Sequence, residues 1–184
     1  MTEAEWLACT DPKLMLDYLR FKCGVRKLRL FTAACLRRDL HWSDIHIRIA
    51  IKSVERLADD RERIAAGGLR AARMDASAAR AAAQDAARSL QPFGAAQAAL
   101  LRDICGPLPF RPTTLDSAWL SWHGGLLASI AWQMYDSRDF ADMPVLADAL
   151  EEAGCQNQDI LSHCRSGGDH VRGCWVIDAL LGKS

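Results

Sequence analysis

The chain has 184 residues, of which 50% are hydrophobic and 25% are charged, and its formal net charge is zero. This composition is typical of one globular domain and argues against a disordered chain, because enough apolar surface is available to offset chain entropy. Zero net charge also argues against a general electrostatic attraction to nucleic acid or to an anionic membrane. The charge is unevenly spread, however: residues 20–56 are rich in lysine and arginine, and residues 136–159 are rich in aspartate and glutamate.

The start of the chain lacks the basic and apolar pattern of a signal peptide, and no apolar run approaches the roughly 20 residues that span a bilayer. We therefore expect a cytoplasmic protein with no membrane partner. In that compartment the seven cysteines are expected to be reduced thiols or metal ligands, and an odd number argues against a complete disulfide framework.

Helical patterns dominate the N-terminal half, and strand patterns are nearly absent. The first predicted helix begins near Pro12, with Thr10 or Asp11 as its cap. Further helices are predicted over residues 25–40, 43–66, 69–90 and 95–104. The first of these carries three arginines on a face that we expect to look outward, namely Arg29, Arg37 and Arg38.

The stretch GPLPFRPTTLD, residues 106–116, is the clearest connector, because its three prolines exclude regular helix. It separates an N-terminal helical bundle, residues 1–105, from a C-terminal helical part, residues 106–184, packed on it. Helices are predicted there over residues 124–136, 143–153, 158–165 and 169–182. The fold prediction is all-α: a compact bundle of about eight helices.

Five phrases carry a resemblance to a known family: MTEAEWLACTDP, RKLRLFTAACLRR, QAALLRDICGPLPFRP, MPVLADALEEAGCQNQDILSHCR and HVRGCWVIDALLGK. Together they resemble a large, paralogue-rich family of planctomycete proteins, over nearly the whole chain. The chain departs from that family's pattern at Ala34-Cys35, where many members have two cysteines, and at SAWLSWHGG after the prolines. The resemblance implies no activity, cofactor or catalytic residue.

A cluster of cysteines and histidines near the end of the chain could bind a metal. Thiolate and imidazole are the ligands of tetrahedral zinc, and a set of four would fasten three helices together. The predicted ligands are Cys155, His163, His170 and Cys174. Asp169 or Asp178 could orient a ligating histidine. The CxxC and HxxxH pairs of familiar zinc sites are missing, so buried cysteines that only fill a core stay open as an alternative.

Other candidate sites are weighed beside the metal. Cys174 could be a nucleophile with His170 as its base, although a position inside the predicted last helix argues against it. His41 and His46, with Trp42, Asp44 and Cys35, could form a second site. Trp119 and Trp122 could line a groove after the connector, whereas Trp132 is predicted to lie in the core.

The leading functional prediction is an interaction or regulatory module that binds another protein. Its predicted binding residues are Trp119, Trp122, Arg29, Arg37 and Arg38. The alternatives are a small zinc-binding protein with a structural or catalytic site in residues 155–174, and nucleic-acid binding through the basic helices of residues 20–56. An enzyme is not favoured, because the sequence has no phosphate-binding glycine loop and no GxSxG or HExxH motif.

Overall fold

The structure, a computed structural model, describes residues 1–39, 45–60, 68–89, 94–107, 110–111 and 114–183. Within these ranges the chain forms eleven α-helices and one 3-10 turn, with no strand, which confirms the all-α prediction. The helices are α1 (Glu3–Ala8), α2 (Pro12–Tyr18), α3 (Val25–Asp39), α4 (Ile45–Asp59), α5 (Gly68–Ser89), α6 (Gly94–Cys105), α7 (Ser117–Ser121), α8 (Leu126–Ser137), α9 (Met143–Glu152), α10 (Gln158–Arg165) and α11 (Trp175–Leu180). The 3-10 turn, Trp122–Gly124, lies between α7 and α8.

Local caps explain several helix starts. Asp11, one of the two predicted caps of α2, accepts the backbone N–H of Lys13 at 2.8 Å. Thr2 and Glu5 form a capping box at α1, a helix that sequence periodicity did not predict because it has fewer than two turns. Asn157 caps α10, whose bounds agree with the predicted residues 158–165.

Two hydrophobic cores divide the buried side chains. The first, which we call the N-terminal core, gathers residues of α1, α2, α3, α5 and α6 around Trp6 and Phe31. Four alanines of α5 belong to it, namely Ala79, Ala83, Ala86 and Ala87. Their spacing of four, three and one puts them on one helix face, where small side chains let α5 approach α3 closely.

The second, the C-terminal core, is built from α8 to α11 around Tyr135 and Trp175. The buried face of α8 consists of Leu127, Ala131, Met134 and Tyr135. The prediction that Trp132 is a core residue is wrong, because it falls beside this stripe and is 53% exposed. Its ring stacks on that of Tyr135, with centroids 5.9 Å apart, from the solvent side.

A layer of buried charges lies between the two cores. Asp178 on α11 accepts two hydrogen bonds from the guanidinium of Arg26, at 2.6 and 2.9 Å, and one from Lys27 at 2.5 Å. Asp59 at the end of α4 accepts the hydroxyl of Tyr135 at 2.7 Å. Asp178, Arg26 and Lys27 therefore each have a partner of opposite sign, which offsets much of the cost of removing these charges from water.

The arginines of α3 also take part in this internal pairing. Arg37 makes a two-bond contact with Glu55 at 2.8 and 3.0 Å, and Arg138 contacts the same carboxylate. Arg29 is buried against Asp75 of α5. The expectation that Arg29 faces solvent is wrong, because an acidic partner on a neighbouring helix draws its guanidinium inward.

The last helix is shorter than predicted. Residues 169–174 form a loop, and α11 spans only Trp175–Leu180. Gly173 has a φ of +102°, outside the helical region, and a Cβ there would lie 2.8 Å from Leu30 Cδ1. A residue of another helix also fixes the loop, because Asp103 of α6 accepts the backbone N–H of Val171 at 2.9 Å. Long-range contacts thus override the helical pattern of the sequence.

Some predictions fall on residues that are not described. His41, Trp42 and Asp44 lie outside the described ranges, as does the side chain of His46, so the second predicted site stays a prediction. Among the described helices, none combines the length and the apolar character that crossing a bilayer requires.

Candidate metal centre

Four side chains with metal-binding atoms meet where the two cores adjoin. They are Asp103, His163, His170 and Cys174, and their ligand atoms all lie within 4.8 Å of one another. Asp103 lies near the end of α6, and His163 lies on α10. His170 and Cys174 belong to the loop before α11. We call these four residues, which could hold a metal ion, the metal centre.

The spacing of the four groups is close to that of a metal coordination shell. Nε2 of His163 lies 3.1 Å from the sulfur of Cys174 and 3.2 Å from Oδ1 of Asp103. Nδ1 of His170 lies 2.7 Å from the same carboxylate oxygen and 4.0 Å from the sulfur. Tetrahedral zinc bonds of about 2.0–2.3 Å place neighbouring ligand atoms about 3.3–3.7 Å apart. The observed distances bracket that spacing.

The direction of the rings also suits a shared ion. Each histidine presents one and the same nitrogen to both the carboxylate and the thiol: Nε2 from His163 and Nδ1 from His170. In a Cys-His-Asp relay the histidine uses one nitrogen for the cysteine and the other for the acid. This arrangement differs from that of a proton relay, and it is one that could hold a shared metal ion.

Hydrogen bonds and charge, acting against burial, set the protonation states of the acid and one histidine. Burial alone would raise the pKa of Asp103, but the hydrogen bonds from His163 and His170 outweigh it and lower that pKa below its ordinary value. Burial also acts to lower the pKa of His170, yet the hydrogen bond to Asp103 and its negative charge raise it. Without a metal, this pair is held as a carboxylate beside a readily protonated imidazole.

The thiol is in a different state. Burial, and then the negative charge of Asp103, raise the pKa of Cys174 well above its ordinary value, although the backbone N–H groups of Ile177 and Val176 act in the opposite direction. Cys174 is fully buried and stands at the N-cap of α11, not inside the helix as predicted. A neutral, buried thiol is a poor nucleophile, whereas a metal ion would displace its proton.

Three of the four predicted ligands belong to this metal centre, and Cys155 does not. Cys155 follows α9 and is buried in the C-terminal core, where burial raises the pKa of its thiol. The fourth group is instead Asp103, which sequence reasoning missed. The sequence feature that could have revealed it is a carboxylate within the apolar stretch ALLRDIC. In the structure Asp103 is only 4% exposed. The partner that explains such a residue lies 67 positions away in His170.

The predicted orienting residues have other partners. Asp169 is 70% exposed in its side chain and pairs with Arg38 at 2.7 Å. Asp178 is bound to Arg26 and Lys27 in the charged layer. The carboxylate that contacts both histidines is that of Asp103.

The predicted partner-binding residues lie at several places in the fold. Trp119 and Trp122 are half-buried against the C-terminal core. Arg29 and Arg37 take part in internal ion pairs, while Arg38 is exposed and pairs with Asp169. Binding of a protein partner and binding of nucleic acid stay predictions.

A cavity of about 500 Å³ opens beside the metal centre. Asp103, His163 and His170 form part of its wall, together with the rings of Trp6 and Trp175. The ring of Trp175 also lies 5.1 Å from that of His163, so one side of the metal centre is covered by an aromatic side chain. Three residues of the metal centre thus line the cavity, whereas Cys174 is fully buried behind them.

Comparison of the chain with models of protein families, with curated proteins and with solved structures found no match. Function must therefore be argued from the geometry of the chain itself.

Proposed function

We propose that this protein binds one zinc ion through Asp103, His163, His170 and Cys174, and that the ion holds its two helical halves together. The observation that carries the proposal is the convergence of four ligand atoms within 4.8 Å from three separate parts of the chain. Both histidines also direct a single nitrogen toward the same two partners, Asp103 and Cys174. A shared metal ion would account for this pattern.

The ligand set favours zinc over harder ions. One thiolate and two imidazoles are soft or intermediate donors, which suit Zn²⁺, whereas Mg²⁺ and Ca²⁺ prefer shells of oxygen. Four protein ligands complete a tetrahedral shell and leave no open position for a substrate. The proposed role of the ion is thus structural, and the chemistry it supplies is cross-linking rather than catalysis.

Such a cross-link would join elements of the two cores, which also meet through the charged layer. Asp103 lies on α6, and the nearby residues Leu101 and Ile104 of the same helix belong to the N-terminal core. His163 and Cys174 lie beside Leu161 and Trp175 of the C-terminal core. Because a closed site forms only in the folded chain, zinc binding would add directly to folding stability. A helical module of this kind, with seven free cysteines, fits a reducing compartment such as the cytoplasm.

Zinc titration of matched cysteine variants tests the proposal. Cys174→Ala removes a ligand, and Cys155→Ala removes an equally buried cysteine outside the metal centre, so the two variants create similar cavities. Each apoprotein is titrated with zinc in competition with a coloured chelator, and its helix content is checked by circular dichroism. We expect the wild type and Cys155→Ala to bind one zinc per chain and Cys174→Ala to lose tight binding.

Two results would overturn the proposal. One is a folded wild-type protein that takes no zinc from the chelator. The other is a folded Cys174→Ala variant that binds zinc as tightly as the Cys155→Ala control.

A further inference from the structure

A second pair of cysteines lies outside the metal centre. The sulfurs of Cys23 and Cys105 are 3.4 Å apart, although the residues are separated by 82 positions in sequence. Cys23 lies in the turn between α2 and α3 and is partly buried, and Cys105 is the buried last residue of α6. A disulfide has an S–S distance of about 2.05 Å, so the two sulfurs need to approach by only about 1.4 Å more.

We propose that Cys23 and Cys105 form a reversible oxidation site, at which a peroxide converts the two thiols to a disulfide. Neither sulfur belongs to the metal centre, so this proposal stands independently of zinc binding. It assigns a chemical role to two cysteines that would otherwise count only as small core residues.

The reaction balances in two steps. The sulfur of Cys23 attacks one oxygen of hydrogen peroxide, the O–O bond breaks, and Cys23 becomes a sulfenic acid with release of one water. The sulfur of Cys105 then attacks the sulfenic sulfur, the S–O bond breaks, and a second water leaves with the thiol proton of Cys105. Two thiols have lost two electrons to one peroxide, and a dithiol reductant reverses the change by thiol–disulfide exchange.

The surroundings favour Cys23 as the thiol that reacts first. Cys23 is the more exposed of the two residues. A hydrogen bond from Cys105 and the positive charge of Lys27 lower its pKa, against the opposing effect of burial. The pair thus consists of a partly buried cysteine, whose thiol pKa is lowered, and a buried cysteine within reach of it that could resolve the sulfenic acid.

The bond would fasten the end of α6 to the turn before α3. Cys105 is followed by Gly106, whose φ is +56° and whose Cα is covered by the ring of Trp175. This corner connects the N-terminal core to the C-terminal core. Oxidation would therefore close a loop of about 80 residues and restrict the unfolded chain far more than the folded one.

Peptide mapping after peroxide treatment tests the proposal, because trypsin separates the two sulfurs. Cleavage after lysine and arginine, but not before proline, puts Cys23 in the peptide of residues 23–26 and Cys105 in that of residues 103–138. Purified protein is treated with hydrogen peroxide, its free thiols are alkylated, and the digest is analysed by mass spectrometry. We expect a cross-link between these two peptides that dithiothreitol removes.

Three variants sharpen the test. Cys23→Ser and Cys105→Ser should each lose the cross-link, and Cys105→Ser should accumulate a sulfenic acid at Cys23 that dimedone traps. Cys9→Ser, which changes the other partly buried cysteine, should keep the cross-link. The proposal is overturned if peroxide oxidises the wild type without this cross-link, if it joins other cysteines instead, or if Cys23 in folded Cys105→Ser yields no sulfenic acid.

Discussion

The carboxylate of Asp103 reaches Nδ1 of His170 at 2.7 Å, across 67 residues of sequence. Its other oxygen accepts the backbone N–H of Val171 at 2.9 Å. One side chain of α6 therefore both supplies a candidate ligand and fixes the loop that carries two others. This double contact explains why residues 169–174 do not continue the last helix.

Asp103→Asn should weaken zinc binding without undoing the loop. The amide oxygen of asparagine can still accept the N–H of Val171, but the side chain lacks the negative charge that a ligand and its histidine neighbours need. We expect zinc affinity to fall on the order of 100-fold, measured by chelator competition. Asp169→Asn is the control, because that exposed carboxylate is the neighbour of His170 in sequence and pairs with Arg38. Equal losses in the two variants would contradict the assignment of Asp103.

Asp178→Asn should be among the most destabilising single changes in the chain. It leaves the ammonium of Lys27 buried beside a neutral amide and leaves the guanidinium of Arg26 with Asp59 as its carboxylate partner. Breaking a buried pair from one side costs about 3 kcal/mol or more of unfolding free energy, which urea denaturation measures. Asp148→Asn breaks the exposed contact with Arg165 and should cost less than about 1 kcal/mol. A loss for Asp178→Asn as small as that of the control would contradict the charged layer as a folding determinant.

Glu55 should make stability depend on pH in the acid range. Burial acts to raise its pKa, but hydrogen bonds from Arg37 and Arg138 lower it below the ordinary value of 4.5. Because the folded pKa is the lower one, the unfolded chain takes up this proton first as the pH falls. The stabilisation is therefore complete above the ordinary value and is lost as the pH falls through the folded pKa.

Denaturation of wild type and Glu55→Gln between pH 3 and 7 checks this sign. The difference in unfolding free energy between them should be largest near pH 7 and should shrink on acidification. Glu152→Gln, at an exposed position of α9, should show a difference that stays small at every pH. If the difference in unfolding free energy between wild type and Glu55→Gln grew as the pH fell, the predicted direction of the pH dependence would be wrong.

Gly106→Ala should disturb the corner between the cores. A Cβ at this position would overlap the ring of Trp175, and the φ of +56° is unfavourable for alanine. We expect a loss of about 2 kcal/mol or more in thermal or urea unfolding. Gly167→Ala has open space around the added carbon and should change stability by less than about 0.5 kcal/mol. Comparable effects of the two substitutions would argue against close packing at Gly106.

Helix positions that depend on residues close by in the sequence could be predicted. The bounds of α5 and α10 follow from alanine content and from the cap at Asn157, and both agree with the structure within a residue or two. Helices of five or six residues, such as α1 and α7, carry too little periodicity to be separated from turns, so the predicted number of about eight is lower than the eleven helices of the described residues.

Features that depend on distant residues escaped prediction. The sequence did indicate three of the candidate ligands, His163, His170 and Cys174, because they are of ligand type and lie close together in the sequence. Nothing in the sequence around Cys155 shows that its side chain packs into the C-terminal core instead. Asp103 could not be joined to them, because a helical pattern does not show what packs on its buried face. The inward turn of Arg29 has the same origin, since its partner Asp75 lies on another helix.

X-ray absorption at the zinc edge, on protein loaded with one equivalent of zinc, tests the central claim most directly. One sulfur at about 2.3 Å and three nitrogen or oxygen atoms at about 2.0–2.2 Å are expected around the ion. The sulfur contribution should disappear in Cys174→Ala and persist in Cys155→Ala. A shell without sulfur, a shell with two or more sulfurs, or a sulfur that survives the loss of Cys174 would contradict the proposed metal centre.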